Sequence, residues 1–424
     1  MLNRGIQKWD LVLMIINSII GAGIFGLPSK IYQSTGVYSI AAFFICAAIV
    51  FIFILCFAEV SSRFDKTGGP YVYILTAFGR FPAFLMGWLL LLSRLFNYAT
   101  LINLMVTYLS FFYTELSSPF SRVLIILLVS AFLTYTNYIG VKNIARLSNL
   151  LTVAKLVPLA IFIIAGLFFL NADSFTVKQT PSLPVFSNAV LLLVFAFGGF
   201  ESVLVGSGEI NNPSKTLPFA LLTATAVVAI FYILIQVVCI GTLPSLATSE
   251  KPLAEAASGF MGSTGGKMIA AGAFISILGT LNVILFSGSR LPYAFSEEGQ
   301  FPKWFSHIHP EYKTPTVSLL TASILCVIIS ISFSFLSALT VATIIRVTIY
   351  LFVCGSLIVL RKKMPDRSAH FRVRGGNVLA IGGILLSIWL LSSAKQTELI
   401  QVAWCLLAGI IIFLLRLKIK RKKV

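Results

Sequence analysis

The chain has 424 residues, 58% hydrophobic and only 11% charged, with a mean hydropathy of +0.96. Its charged content is less than half that of soluble domains, which excludes a soluble globular fold. The formal charge of +18 is clustered in alternate loops and at the C-terminus, as in RKKMPDRSAHFRVR (Arg361–Arg374) and RLKIKRKK (Arg416–Lys423). That is the pattern of cytoplasmic loops rather than of a nucleic-acid surface. The basic tail is also suited to anionic lipid.

A bilayer-spanning helix needs about 20 apolar residues. Twelve such runs are predicted, over 10–33, 38–63, 81–113, 121–139, 146–170, 185–208, 217–243, 267–296, 316–334, 337–361, 377–394 and 399–417. The division between the ninth and tenth, near Phe335–Ser337, is short. The first run begins at Leu11 with no small-residue cleavage site after it and reads as a retained span. The expected fold is therefore an all-α integral membrane protein of about 12 transmembrane helices. Twenty-three lysines and arginines fall on the side of the N-terminus and six on the other, which places both termini in the cytoplasm. Short loops favour a prokaryotic plasma membrane. The six cysteines lie in apolar runs and read as small buried hydrophobes. His307, His309 and His370 sit in basic loops without ligand spacing, so neither a metal nor another cofactor is expected.

Two runs are weakened by glycine at mid-length. The first contains IIGAGIFGLP (Ile19–Pro28) and the sixth VFAFGGFESVLVGSGE (Val194–Glu209). They stand five helices apart, which suits two five-helix repeats, 10–170 and 185–361, followed by two appended helices (377–417) and a basic tail (418–424). An odd number of spans per repeat inverts the second copy. One glycine cluster alone would read as close helix packing. Two at repeat-related positions point to a transport site. In hydrocarbon, unpaired peptide groups cost several kcal/mol unless protein, water or a ligand pairs with them. An amino-acid backbone matches such a site: its carboxylate suits the N-terminal end of a half-helix, and its ammonium the free carbonyls opposite.

IIGAGIFGLP resembles the first-helix signature of the amino acid–polyamine–organocation superfamily. FAEVSSRFDKTGGPYVY (Phe57–Tyr73), FAFGGFES with GEINNPSKTLP, and SGSRLPYAFSEEGQFPKWFSHIHPEYKTP (Ser287–Pro315) resemble three further segments of that family. The likeness extends over helices one to ten and implies the leucine-transporter fold. It implies that N–H groups of Ala22, Gly23 and Ile24 hold a substrate carboxylate and that carbonyls of Ile19, Phe195 and Gly198 hold its amine. Phe195 aligns with an aromatic gate, and Ser93, Asn97 and Thr100 with side-chain contacts, in a related antiporter.

Charges within spans are candidates for function because of their insertion cost. The resemblance implies that Lys155 stands where sodium-coupled relatives of the fold bind an ion; an amine there can release a proton as the site opens. The other reading is a lysine snorkelling to the cytoplasmic surface, nine residues after Arg146. Glu201 aligns with a proton-sensitive switch; alternatively it only hydrogen-bonds the broken helix. Arg94 and Arg346 either pair with Glu201 or Glu59 or face a cavity. Glu59 is expected to pair with Arg63 or a loop, and Glu209 to clamp the cytoplasmic end of helix six as a gate.

No HExxH, GxSxG or phosphate-binding loop is present, and no histidine lies in a span, which disfavours an intramembrane enzyme or an ATP-driven pump. The resemblance implies a secondary transporter of L-amino acids, coupled to protons or working by exchange. Basic pocket residues favour neutral amino acids. The alternatives are an antiporter of charged amino acids or amines and, outside transport, an amino-acid receptor.

Overall fold

A computed structural model describes residues 5–109, 113–177, 179–333, 335–364 and 369–421. Arg4, Lys178, Arg367, Lys422 and Lys423, all counted above to assign sides, lie outside them.

The glycine clusters break their helices as expected. α1 (Lys8–Ile19) ends at Ile20, and α2 (Ala22–Thr35) starts after Gly21. α8 (Leu183–Phe197) ends at Gly198, and α9 (Phe200–Val205) starts after Gly199, whose φ of +122° an L side chain rarely adopts. The breaks lie against each other. A Cβ on Gly23 would fall 2.5 Å from Ala196 Cα, so only glycine lets α2 approach α8 this closely.

Between the breaks run α3 (Ser39–Ser61), α4 (Pro70–Phe78), α5 (Arg80–Leu109), α6 (Pro119–Tyr138) and α7 (Val141–Leu167). After α9 come α10 (Pro213–Thr242), α11 (Pro252–Glu297), α12 (Thr316–Ser332), α13 (Phe335–Lys363), α14 (Gly376–Ser392) and α15 (Gln396–Arg421). Eight helical segments among the described residues are long and apolar enough to cross a bilayer. Three more apolar helices, α8, α12 and α14, are shorter.

Two departures from the sequence reading have local causes. The loop expected between the second and third spans contains α4, started by Gly69 at φ +52° and Pro70 at the first helical position. Gly68 N donates to Val205 O at 2.8 Å and ties this turn beneath α9. The eighth span, expected from 267, is preceded by a helical stretch from Pro252 that bends at Gly262, where φ is +69°.

Burial sorts the helices. In the apolar window of α5, 94% is buried, against 17% for α6 and 11% for α15, so α5 is the central pillar and the other two face lipid. α11 and α13 lie along α5, α7 packs on α11, and α10 packs on α3. Exposed Phe120, Leu128 and Phe132 on α6, and Trp404 and Ile411 on α15, form the apolar exterior that a bilayer solvates.

Candidate functional site

The carbonyls released where α1 ends are taken up by side chains of α7, α10 and α11. Lys155 Nζ, fully buried, donates to Asn17 O at 3.0 Å, Ile20 O at 2.6 Å and Ser276 O at 3.2 Å. That geometry rules out the snorkelling reading. Ser276 Oγ donates to Ile20 O at 2.9 Å and Thr280 Oγ1 to Asn17 O at 2.7 Å. The Tyr232 hydroxyl lies 3.0 Å from both Ile19 O and Ala196 O, one carbonyl from each broken helix.

Across the break, Ala22, Gly23 and Ile24 are the first three residues of α2. Their N–H groups have no acceptor within the helix and stand at its positive end.

The second break is built around Glu201, which is 1% exposed. Its Oε1 accepts from Arg94 Nη2 at 3.0 Å and Arg346 Nε at 2.9 Å. Its Oε2 accepts from Gly199 N at 2.9 Å and the Tyr350 hydroxyl at 3.1 Å. Arg94 also donates to Ser202 Oγ, Arg346 Nη1 to Phe195 O at 3.2 Å, and Ser18 Oγ to Gly199 O at 2.7 Å. Of the alternatives left open for Arg94 and Arg346, two hold together: both pair with Glu201 and both line a cavity. One carboxylate against two guanidinium groups leaves this cluster with a formal charge of +1.

The cavity is narrow and lies between the two breaks. Backbone from Ile19, Gly21, Gly23, Gly198 and Gly199 meets side chains of Ser18, Arg94, Asn97, Thr280 and Arg346, with Leu101, Phe195 and Ile284 as the apolar wall. Of the sequence-selected residues, Ile19, Gly23, Phe195, Gly198, Asn97, Arg94 and Arg346 therefore come together here. Arg94 Nε and Asn97 Oδ1 are buried without a hydrogen-bond partner among the described residues. Ser93 and Thr100 are buried beside the cavity but do not line it; the Thr100 hydroxyl donates to Phe96 O at 2.9 Å on its own helix. Lys155 and Glu201 stand behind the cavity wall.

The other acidic candidates lie away from this centre. Glu209 pairs with Arg290 at 3.1 Å, both 1% exposed, and its carbonyl accepts from Gly5 N and Ile6 N. The Arg290 guanidinium also covers the Phe286 ring at 4.1 Å. Glu59 is held by Arg63 at 3.2 Å, by Arg361 at 2.7 Å and by Val373 N at 2.9 Å. Thus Glu59 takes the expected Arg63 and a second arginine besides, and it offers nothing to Arg94 or Arg346.

Several contributors escaped the sequence reading. Ser276 and Thr280, four apart in the apolar AFISILGTLNV, carried a usable signal, since such a pair shares one helix face. Ser18, Tyr232, Tyr350 and Arg290 carried none, because their partners lie far off in sequence.

The amino acid permease family model matches residues 6–415. The chain belongs to the amino acid permease family. It is a multi-pass membrane protein, as its apolar helices require. It is 28% identical to the methylthioribose transporter of Bacillus subtilis, over 97% of this chain and 93% of that protein. It is 28% identical to the serine/threonine exchanger SteT of the same organism, over 94% and 92% respectively. The branched-chain amino acid permease BcaP, also from Bacillus subtilis, is 24% identical over 98% of this chain and 93% of that protein.

Proposed function

We propose that the protein is a secondary transporter that moves L-amino acids across the plasma membrane by alternating access, with neutral amino acids preferred. The observation that carries this is the cavity between the two breaks. On one side stands the start of α2, where Gly23 lines the cavity and its N–H, with those of the flanking Ala22 and Ile24, would hold a carboxylate. On the other stands the carbonyl end of α1 at Ile19, which would take the α-ammonium. Phe195 would gate the cavity, and Asn97, with a buried oxygen lacking a partner among the described residues, would contact the side chain. Ser93 and Thr100 would support that wall from behind.

In this reading, residues 10–170 and 185–361 are inverted repeats, each opening on a broken helix, and both termini face the cytoplasm. Lys155 occupies a cage of three carbonyls that would suit a metal cation, so proton coupling through that amine is the mechanism we favour. The two guanidinium groups on Glu201 support its reading as a fixed carboxylate rather than as a switch. Glu209 with Arg290 would seal the cytoplasmic path. The net positive cluster supports one second substrate class, acidic amino acids.

The test is uptake and exchange of labelled amino acids by purified protein in liposomes, as a competition panel at two pH values. Saturable transport of a neutral amino acid that rises with an inward proton gradient is the expected result. A panel in which no amino acid is bound or moved refutes the proposal.

A further inference from the structure

We propose that Arg346 is a resident cation in the α8–α9 break, the counterpart of Lys155 in the α1–α2 break, and that it bars substrates carrying a second positive charge. The proposal rests on the reading of the cavity as the substrate site.

Each break exposes carbonyls at the end of its first half-helix, and each receives a cation from the fifth helix of its own run. Counting from α1–α2, that run continues through α3, α5 and α6 to α7, which carries Lys155. Counting from α8–α9, it continues through α10, α11 and α12 to α13, which carries Arg346. Lys155 Nζ donates to Asn17 O and Ile20 O. Arg346 Nη1 donates to Phe195 O at 3.2 Å, an oxygen that also accepts from Gly198 N at 3.2 Å across the cap. Its guanidinium lies directly over Gly198, so that a Cβ there would collide with it, and it faces the Phe195 ring at 5.5 Å. Glu201 fixes it in place at 2.9 Å.

The two cations differ in what a substrate meets. Lys155 does not line the cavity, whereas Arg346 and Arg94 do. The Phe195 carbonyl, one of three acceptors expected for a substrate amine, already has its cation. An α-ammonium therefore has Ile19 and Gly198 left of those three. A second ammonium or guanidinium on the substrate would have to displace Arg346 and then sit beside two buried positive charges with one carboxylate between them. Arginine stays charged at every physiological pH, so this exclusion does not relax with pH as a lysine gate would.

Wild type, Arg346→Ala, Arg346→Gln and Arg346→Lys are compared in liposomes and micelles. Competition by L-lysine and agmatine is measured against that of neutral amino acids at pH 5.5 and 7.5. Wild type is expected to take the cations at least tenfold more weakly at both pH values. The gap should close by about tenfold in the Ala and Gln variants and persist in Lys. A second readout needs no amino acid: millimolar methylguanidinium should raise the thermal midpoint of Arg346→Ala saturably and leave wild type unchanged. Equal access of cations to wild type, or a folded Ala or Gln variant with neither gain, overturns the proposal. If neither variant yields monodisperse protein, the wild-type panel decides alone. If wild type binds no amino acid, the transport reading falls, and methylguanidinium still decides whether Arg346 fills a cation position.

Discussion

Glu201→Gln changes one charge in the centre of the protein and almost no volume. The carboxylate receives four donors, two on each oxygen: Arg94 Nη2, Arg346 Nε, Gly199 N and the Tyr350 hydroxyl. A carboxamide has one accepting oxygen, and its NH2 turns a donor toward whichever pair the other oxygen served. Two donors then lose their acceptor, and the cluster passes from +1 to +2 with both arginine side chains at most 4% exposed. Removing one member of a buried ion pair costs about 3–5 kcal/mol. Two arginines depend on this carboxylate, so the loss should lie at the upper end, near ~5 kcal/mol. The measurement is reversible unfolding in mixed micelles of wild type, Glu201→Gln, Arg346→Gln and the double variant. The double variant returns the cluster to +1, so the two substitutions should be less than additive by about 2–3 kcal/mol. A loss below about 1 kcal/mol for Glu201→Gln, or strict additivity, would refute the view that this carboxylate anchors both arginines.

Further outcomes can be checked on the same preparations. Lys155→Met removes the cation from the three carbonyls while Ser276 and Thr280 still serve two of them; stability should fall by about 2–3 kcal/mol, and uptake in liposomes should lose its response to a proton gradient. A gradient response equal to that of wild type would dismiss the coupling role. Gly23→Ala drives a methyl group into the α8 backbone at Ala196; a loss of about 1–3 kcal/mol in micelle unfolding and transport below a tenth of wild type are expected. Glu209→Ala strands Arg290 in a buried site; cysteine-accessibility labelling from the cytoplasmic side should reach the cavity faster, and the double change Glu209→Ala with Arg290→Met should recover part of the stability.

The sequence carried the architecture because bilayers impose long apolar runs and because glycine pairs in such runs are conspicuous. Both breaks and the span order were legible on those grounds. Asn97, Arg94, Arg346 and Phe195 were legible as candidates because a polar, charged or aligned residue at membrane depth stands out. What was not legible was pairing. Whether Arg94 joins Glu201 or Glu59 depends on contacts more than 100 positions apart in the chain, which no local pattern encodes. α4 was missed because nine residues are too few for a periodic signal, although Gly-Gly-Pro marked its start. Ser93 and Thr100 share the face of Asn97 by helical spacing, yet one hydroxyl turns back to its own backbone, a rotamer choice invisible before packing.

Tyr232 has one hydroxyl proton and stands 3.0 Å from a carbonyl of each broken helix. It can donate to only one of them at a time. While the two carbonyls stay this close, the proton can toggle between them with little movement of heavy atoms. Were the two helices to stand further apart, the hydroxyl could keep only one of these oxygens. Tyr232 is thus one donor shared between the two breaks, and it favours the arrangement in which both carbonyls stay within its reach.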